Sequence, residues 1–244
     1  YTDAPFAPAE AAGISLLTSL QAVQGNPDGT FLPGRTLNRA EFLKIVFLSS
    51  PNIRVSKSDA NNCFPDVSRD AWYSRYVCLA LKRGIVGGYP DGSFKPANAV
   101  NYAEALKILG SLYNYTAWSD PDDPWYQMYV QAAINHKTIL PVNLPYDAPL
   151  KRGQMARLAA AYRAEHEQEL EAYRAFERGE YIVEADSASH ASQNSEEVVE
   201  DAEDSEEEVA EEVEAVEVVE EVEAEEGTLL TLPAKPLLLQ LGTR

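Results

Sequence analysis

Asn26–Val46 reads NPDGTFLPGRTLNRAEFLKIV and Tyr89–Leu109 reads YPDGSFKPANAVNYAEALKIL, and the two lie over one another at a constant offset of 63 without a gap. The same offset sets Tyr1-Thr2-Asp3 over Phe64-Pro65-Asp66. A third copy follows at an offset of 53 to 54: Trp118-Ser119-Asp120 matches Phe64-Pro65-Asp66, Trp125-Tyr126 matches Trp72-Tyr73, and Tyr129-Val130 matches Tyr76-Val77. Self-similarity at a fixed period marks a chain built from one supersecondary unit used repeatedly. The units run over 1–48, 63–113 and 117–165.

Each unit reads as helix, turn, helix. Trp72, Tyr76, Val77, Ala80 and Leu81 recur at helical spacing, as do Trp125, Tyr129, Val130 and Ala133. Gly84 and Gly87-Gly88 stop the first helix. Pro27-Asp28-Gly29 and Pro90-Asp91-Gly92 then supply turn chemistry, proline presetting φ and glycine accepting φ > 0. Phe31 and Phe94 are expected to fold back as apolar plugs, and Pro33 and Pro96 hold off helix until the next start. Asn38 with Glu41, and Asn101 with Glu104, have the spacing of a capping box. The helices that follow are apolar along most of their length (Phe42, Leu43, Ile45, Val46; Ala105, Leu106, Ile108, Leu109; Met155, Leu158, Ala159, Tyr162). A surface helix shows a narrower stripe, so these three are expected to pack on one another.

The formal charge of −19 is unevenly placed. Between Ser195 and Glu226 stand 18 acidic residues and no lysine or arginine; removing them from the total of 39 leaves 21 against 20 basic residues. The repeat region is therefore nearly neutral and offers no basic stripe for phosphates, which argues against a nucleic-acid partner. No apolar run approaches the ~20 residues of a transmembrane helix. Tyr1 opens inside a repeat, so an export signal is expected to lie outside these residues. His136, His166 and His190 are scattered, no serine sits in a nucleophile elbow, and no glycine loop has phosphate-binding spacing. The expectation is a protein that is not an enzyme and has no cofactor and no metal site.

The pattern F-x-D, W-Y-x-x-Y-V, G-I-V-x-G-Y-P-D-G-S-F-x-P and x-R-A-E, carried by Phe64–Asp66, Trp72–Val77, Gly84–Pro96 and Asn38–Glu41, resembles the S-layer homology domain. The resemblance implies a mainly α, pseudo-threefold assembly around a central three-helix bundle. It also implies grooves between copies that bind a secondary cell-wall polysaccharide, often through an acidic pyruvylated sugar, at the cell surface or in the cell wall. A structural or protein-interaction module with other surface proteins as partners is the second reading. The targeting module of an envelope enzyme whose catalytic part lies elsewhere is a third. The chain departs from the pattern at Tyr102, where the family has arginine. Its third start reads Lys151-Arg152-Gly153-Gln154, with Gln for Glu, and the third turn lacks Pro-Asp-Gly.

Arg39 and Arg152 are the expected ligand contacts. Each falls at the first helical position, where the dipole disfavours a cation by ~0.3–1 kcal/mol, beside N–H groups suited to an anion. The competing reading is a surface arginine paired with a neighbouring copy's Asp. Arg39, alone in a full Asn-x-x-Glu start, is expected to matter more than Arg152, with Tyr102 stacking on sugar or filling space. Asp3, Asp66 and Asp120 serve either as helix caps or as groove hydrogen-bond acceptors. Asp28 and Asp91 read as turn formers rather than calcium ligands, which require several oxygens at alternating positions. Trp72 and Trp125 can stack on a sugar, though their spacing favours the core. Cys63 precedes the Phe64-x-Asp66 loop and Cys78 lies about two turns into the next helix, so either a disulfide or two separate thiols is open.

Beyond the repeats, a helix from Gly153 is expected to run long, to about Gly179, with 166–182 projecting as an extension. Residues 183–226 read as a linker and an acidic tail too charged to fold. The apolar segment 227–244 has no assigned role.

Overall fold

The computed structural model describes residues 1–180. The acidic tail and the 227–244 segment lie outside them. As the apolar periodicity predicts, the described part is mainly helical: α1 Pro8–Ser19, α2 Arg39–Ser49, α3 Ser74–Lys82, α4 Tyr102–Tyr113, α5 Gln127–Asn135, α6 Arg152–His166 and α7 Leu170–Glu177. β-Pairing among the described residues is limited to isolated bridges. No described helix is long and apolar enough to cross a membrane.

The inner helices α2, α4 and α6 each touch the other two. The outer helices dock crosswise: α3 packs on α2, α5 on α4, and α1 on α6. Each outer helix therefore lies against the inner helix of the preceding unit, and the last pairing closes the circle. At α1 and α6 the backbones come very close: a Cβ on Gly13 would stand 2.6 Å from the Ala156 carbonyl carbon, and one on Gly153 would stand 2.5 Å from Glu10 Cδ. At Gly13 the obstacle is backbone and only glycine fits, whereas at Gly153 it is the flexible end of the Glu10 side chain.

The loops before the inner helices form a hydrogen-bonded ring. Leu37 N–H donates to the Leu150 carbonyl (3.2 Å), Leu150 N–H to Val100 (2.9 Å), and Val100 N–H to Leu37 (3.0 Å). All three side chains are fully buried. Around this ring, the first two N–H groups of each inner helix cross to the adjacent unit. Arg39 and Ala40 donate to Asn98 and Pro96, Tyr102 and Ala103 to Ala148 and Tyr146, and Arg152 and Gly153 to Arg35 and Pro33. A helix start leaves such donors without an intrahelical partner, and here they hold the units together. The expectation of N–H groups free for an anion beside Arg39 and Arg152 is thereby overturned.

The long helix after Gly153 is also corrected. It breaks at Gln168, whose φ is 63°, and α7 folds back onto α1 and α6. Leu170 and Tyr173 are buried with Ala12, Leu16 and Ala160. An extension projecting into water would have exposed them.

Candidate functional site

Turn geometry comes first, because it builds the walls of the clefts. Asp28 accepts from the Thr30 N–H and hydroxyl (2.9 and 2.7 Å), and Asp91 from the Ser93 N–H and hydroxyl (3.0 and 2.6 Å). Gly29 and Gly92 follow at φ 82° and 77°. Asp3 and Asp66 do not cap helices. Each straddles two backbone donors beyond its own turn: Phe31 and Leu32 N–H for Asp3 (both 2.8 Å), Phe94 and Lys95 N–H for Asp66 (2.9 and 2.7 Å). Burial pushes the Asp3 carboxyl up, but these N–H groups outweigh it and hold it below its ordinary value. Asp120 makes only local contacts, accepting from Asp122 N–H at 3.3 Å. The third unit thus lacks the clamp, and Trp118, aligned with the buried Phe64, is 80% exposed. Cys63 and Cys78 are joined by a disulfide that ties the Phe64–Asp66 loop to α3.

The inner-helix starts face three different clefts. Asn38 and Asn101 each accept the N–H of the glutamate three residues on, Glu41 and Glu104 (both 2.8 Å), and each glutamate accepts the asparagine N–H in return (3.1 and 3.0 Å). At α6 only half of this remains: Gln154 accepts Lys151 N–H at 3.0 Å, while lysine has no oxygen to offer back.

In the cleft between the first and second units, Arg39 is 6% exposed. Its Nε donates to the Phe94 carbonyl (3.0 Å) and its guanidinium pairs with Glu104 at 2.8 Å. The guanidinium stands 4.7 Å from the ring centres of both Tyr89 and Phe94. Tyr89 donates to the same Glu104 oxygen (2.7 Å); burial, then that bond, pushes the phenol up to about 12. Arg39 therefore has its counter-ion inside the protein: it pairs across units as the competing reading has it, but while buried and with a glutamate instead of an aspartate.

Between the second and third units the first helical position holds Tyr102 in place of an arginine. Tyr102 is buried, accepts Leu140 N–H (3.0 Å) and stacks on Tyr146 at 5.8 Å. It fills space. Burial raises its pKa to about 12.

The cleft between the third and first units holds Arg152, 7% exposed and 4.4 Å from the Phe31 ring centre. One terminal nitrogen donates to the Gln24 carbonyl (2.7 Å), and its buried Nε has no partner. Among the described residues no carboxylate lies within ion-pair distance of it. Burial, and then the charge of Arg35, push its pKa down. Of the two arginines, Arg39 has an internal carboxylate partner and Arg152 has none among the described residues.

The core placement of the indoles also fails. Trp72 and Trp125 are 53% and 55% exposed. Each meets the following tyrosine edge-on (Tyr73 at 5.4 Å, Tyr126 at 5.5 Å), with a lysine amine near its face (Lys44 at 5.7 Å, Lys107 at 5.5 Å). They precede α3 and α5 rather than lying within them, so helical spacing misassigned them. Among the described residues no group of acidic, His and Cys side chains is arranged to hold a metal ion.

Comparison with known families matches the S-layer homology domain at residues 1–43 and 64–106. Two stretches of the chain, one in each of the first two units, are thus similar to that domain. The chain is 33% identical over 103 residues to a surface layer protein of Brevibacillus choshinensis, covering 42% of this chain and 9% of that protein. It is 27% identical over 157 residues to the surface-layer 125 kDa protein of Lysinibacillus sphaericus (59% and 13%). A cellulosome-anchoring protein of Acetivibrio thermocellus is 29% identical over 98 residues (39% and 22%). The chain thus spans about a tenth of the length of the first of these relatives. S-layer homology domains and such relatives place it at the cell surface or in the cell wall.

Proposed function

We propose that this chain attaches non-covalently to the cell envelope by binding an acidic wall polysaccharide, with a carboxylate such as a pyruvyl group seated on Arg152. The observation that carries this reading is the buried Arg152 guanidinium without a carboxylate partner. An uncompensated buried cation is costly, and an anionic sugar supplies the missing charge through paired, charge-assisted hydrogen bonds. Trp72 and Trp125, exposed beside lysines, offer flat faces on which further sugar rings can stack. The likeness to surface layer proteins and to a cellulosome-anchoring protein supports attachment as the role.

The test is sedimentation of the protein with purified cell-wall sacculi before and after removal of the wall polymer. Binding is expected to disappear with the polymer. Charge-assisted contacts of this kind contribute ~1.5–3 kcal/mol, so Arg152→Ala weakens binding about tenfold or more. A protein-interaction role is the second reading, favoured by the 80% exposed Trp118; it is chosen if sacculi stripped of polymer still carry the protein down.

A further inference from the structure

Arg35 belongs to no motif of the repeat, yet it decides the charge of the third cleft. The three inner-helix starts are related by the same cyclic docking, so each first-position residue faces the third-position residue of the next unit. Arg39 meets Glu104, and by the same relation Arg152 is matched with Glu41. In the first case the pair closes at 2.8 Å. In the second it does not, although Glu41 lies near enough to act on the charge of Arg152. Glu41 is already held by Arg35, through terminal nitrogens at 3.0 and 3.3 Å. Position 35 is Asn98 in the second unit, whose glutamate is left for Arg39.

We infer that Arg35 acts as a positioning residue that keeps one anion site open: by holding Glu41 it denies Arg152 an internal counter-ion, while Glu104 closes the corresponding site at Arg39. The inference rests on the acidic-polymer reading and sharpens it, by giving the reason why Arg152 and not Arg39 takes the ligand. Glu104 and Glu41 are then internal competitors for the ligand's carboxylate, and Arg35 removes one of the two from competition.

The experiment is isothermal titration of the 244-residue chain with the methyl glycoside of a pyruvylated hexosamine, circular dichroism checking each variant's fold. The parent is expected to bind one equivalent. Arg35→Leu releases Glu41 onto Arg152 and weakens binding about tenfold or more, the worth of a charge-assisted pair. Adding Glu41→Gln to Arg35→Leu restores the affinity, which a merely structural loss at Arg35 would not allow. Glu104→Gln opens the Arg39 site and raises the stoichiometry from one to two; Gln154 shows that glutamine at this position still caps the helix. A parent that binds two equivalents, an Arg35→Leu protein that binds like the parent, or a double variant that stays weak overturns the inference alone. A parent that ignores the glycoside overturns the acidic-polymer reading, and the inference with it.

Discussion

Leu32 and Lys95 both sit at φ 58°, where a side chain strains the backbone by roughly 1–2 kcal/mol. The aspartates at positions 3 and 66 hold them there, each carboxylate gripping the N–H of the strained residue and of the one before. Asp66→Ala is therefore expected to lower the melting temperature by several degrees. Adding Lys95→Gly should return part of the loss, because glycine occupies that conformation freely; thermal melts by circular dichroism check both. Asp3 is depressed below its ordinary 3.8, so its contribution is present above that pH and lost as the pH falls further. Glu10 has the opposite sign. Burial raises its carboxyl against the pull of Arg157 and Lys151, so its charged form opposes folding at neutral pH and its neutral form does not. Glu10→Gln should melt higher than the parent at pH 7, with the difference shrinking toward zero as the pH falls through the ordinary glutamate range. A difference independent of pH would show that packing against Gly153, not charge, sets the effect.

At the scale of the element, α7 is held by charge as well as by Leu170 and Tyr173. Glu177 is buried and accepts from Arg157 (2.7 Å) and Arg174 (2.6 Å), and Arg174 also reaches the Lys137 carbonyl (2.9 Å). Removing one member of a buried ionic group leaves its partners unpaired, at a cost of about 3 kcal/mol. Glu177→Ala is expected to lose about that much in urea titration, while Glu171→Ala, whose link to Lys137 is fully exposed to solvent, should lose almost nothing. This helix also marks where reading the chain runs short. The aromatic and apolar residues at 162, 170, 173 and 176 were readable as one helical side, but a single left-handed residue at Gln168 turns that side back onto α1. Nothing local in Glu167-Gln168-Glu169 announces a break. Helix starts and turns were legible because asparagine caps and Pro-Asp-Gly act within four residues. The partners of Arg39 and Arg152 were not legible. Glu104 lies 65 residues from Arg39 and Gln24 lies 128 from Arg152, and both contacts follow from how the units dock. Trp72 and Trp125 show the same limit in reverse, since periodicity cannot tell a helix's first turn from the loop that leads into it.

For the described molecule as a whole, the decisive feature is that no unit completes its own core. The outer helix of each packs on the inner helix of its predecessor, one buried cluster runs from Ile14 to Tyr162, and the Leu37–Val100–Leu150 ring joins all three loops at its centre. A linear array of repeats can fray from an end, because each repeat touches only its neighbours. A closed ring has no end, and opening any one unit removes a face from the other two. Amides that exchange only when the whole structure unfolds report its global stability, whereas those released by local opening exchange sooner. The N–H groups of Leu37, Val100 and Leu150 are therefore expected to show the same, maximal protection in native-state hydrogen exchange. Val46→Ala, which truncates a buried side chain on α2 of the first unit, should lower all three by an equal free energy, although Val100 and Leu150 lie in other units. A loss confined to Leu37 would mean that the first unit opens independently, and the three units would then be neighbours and not one cooperative body.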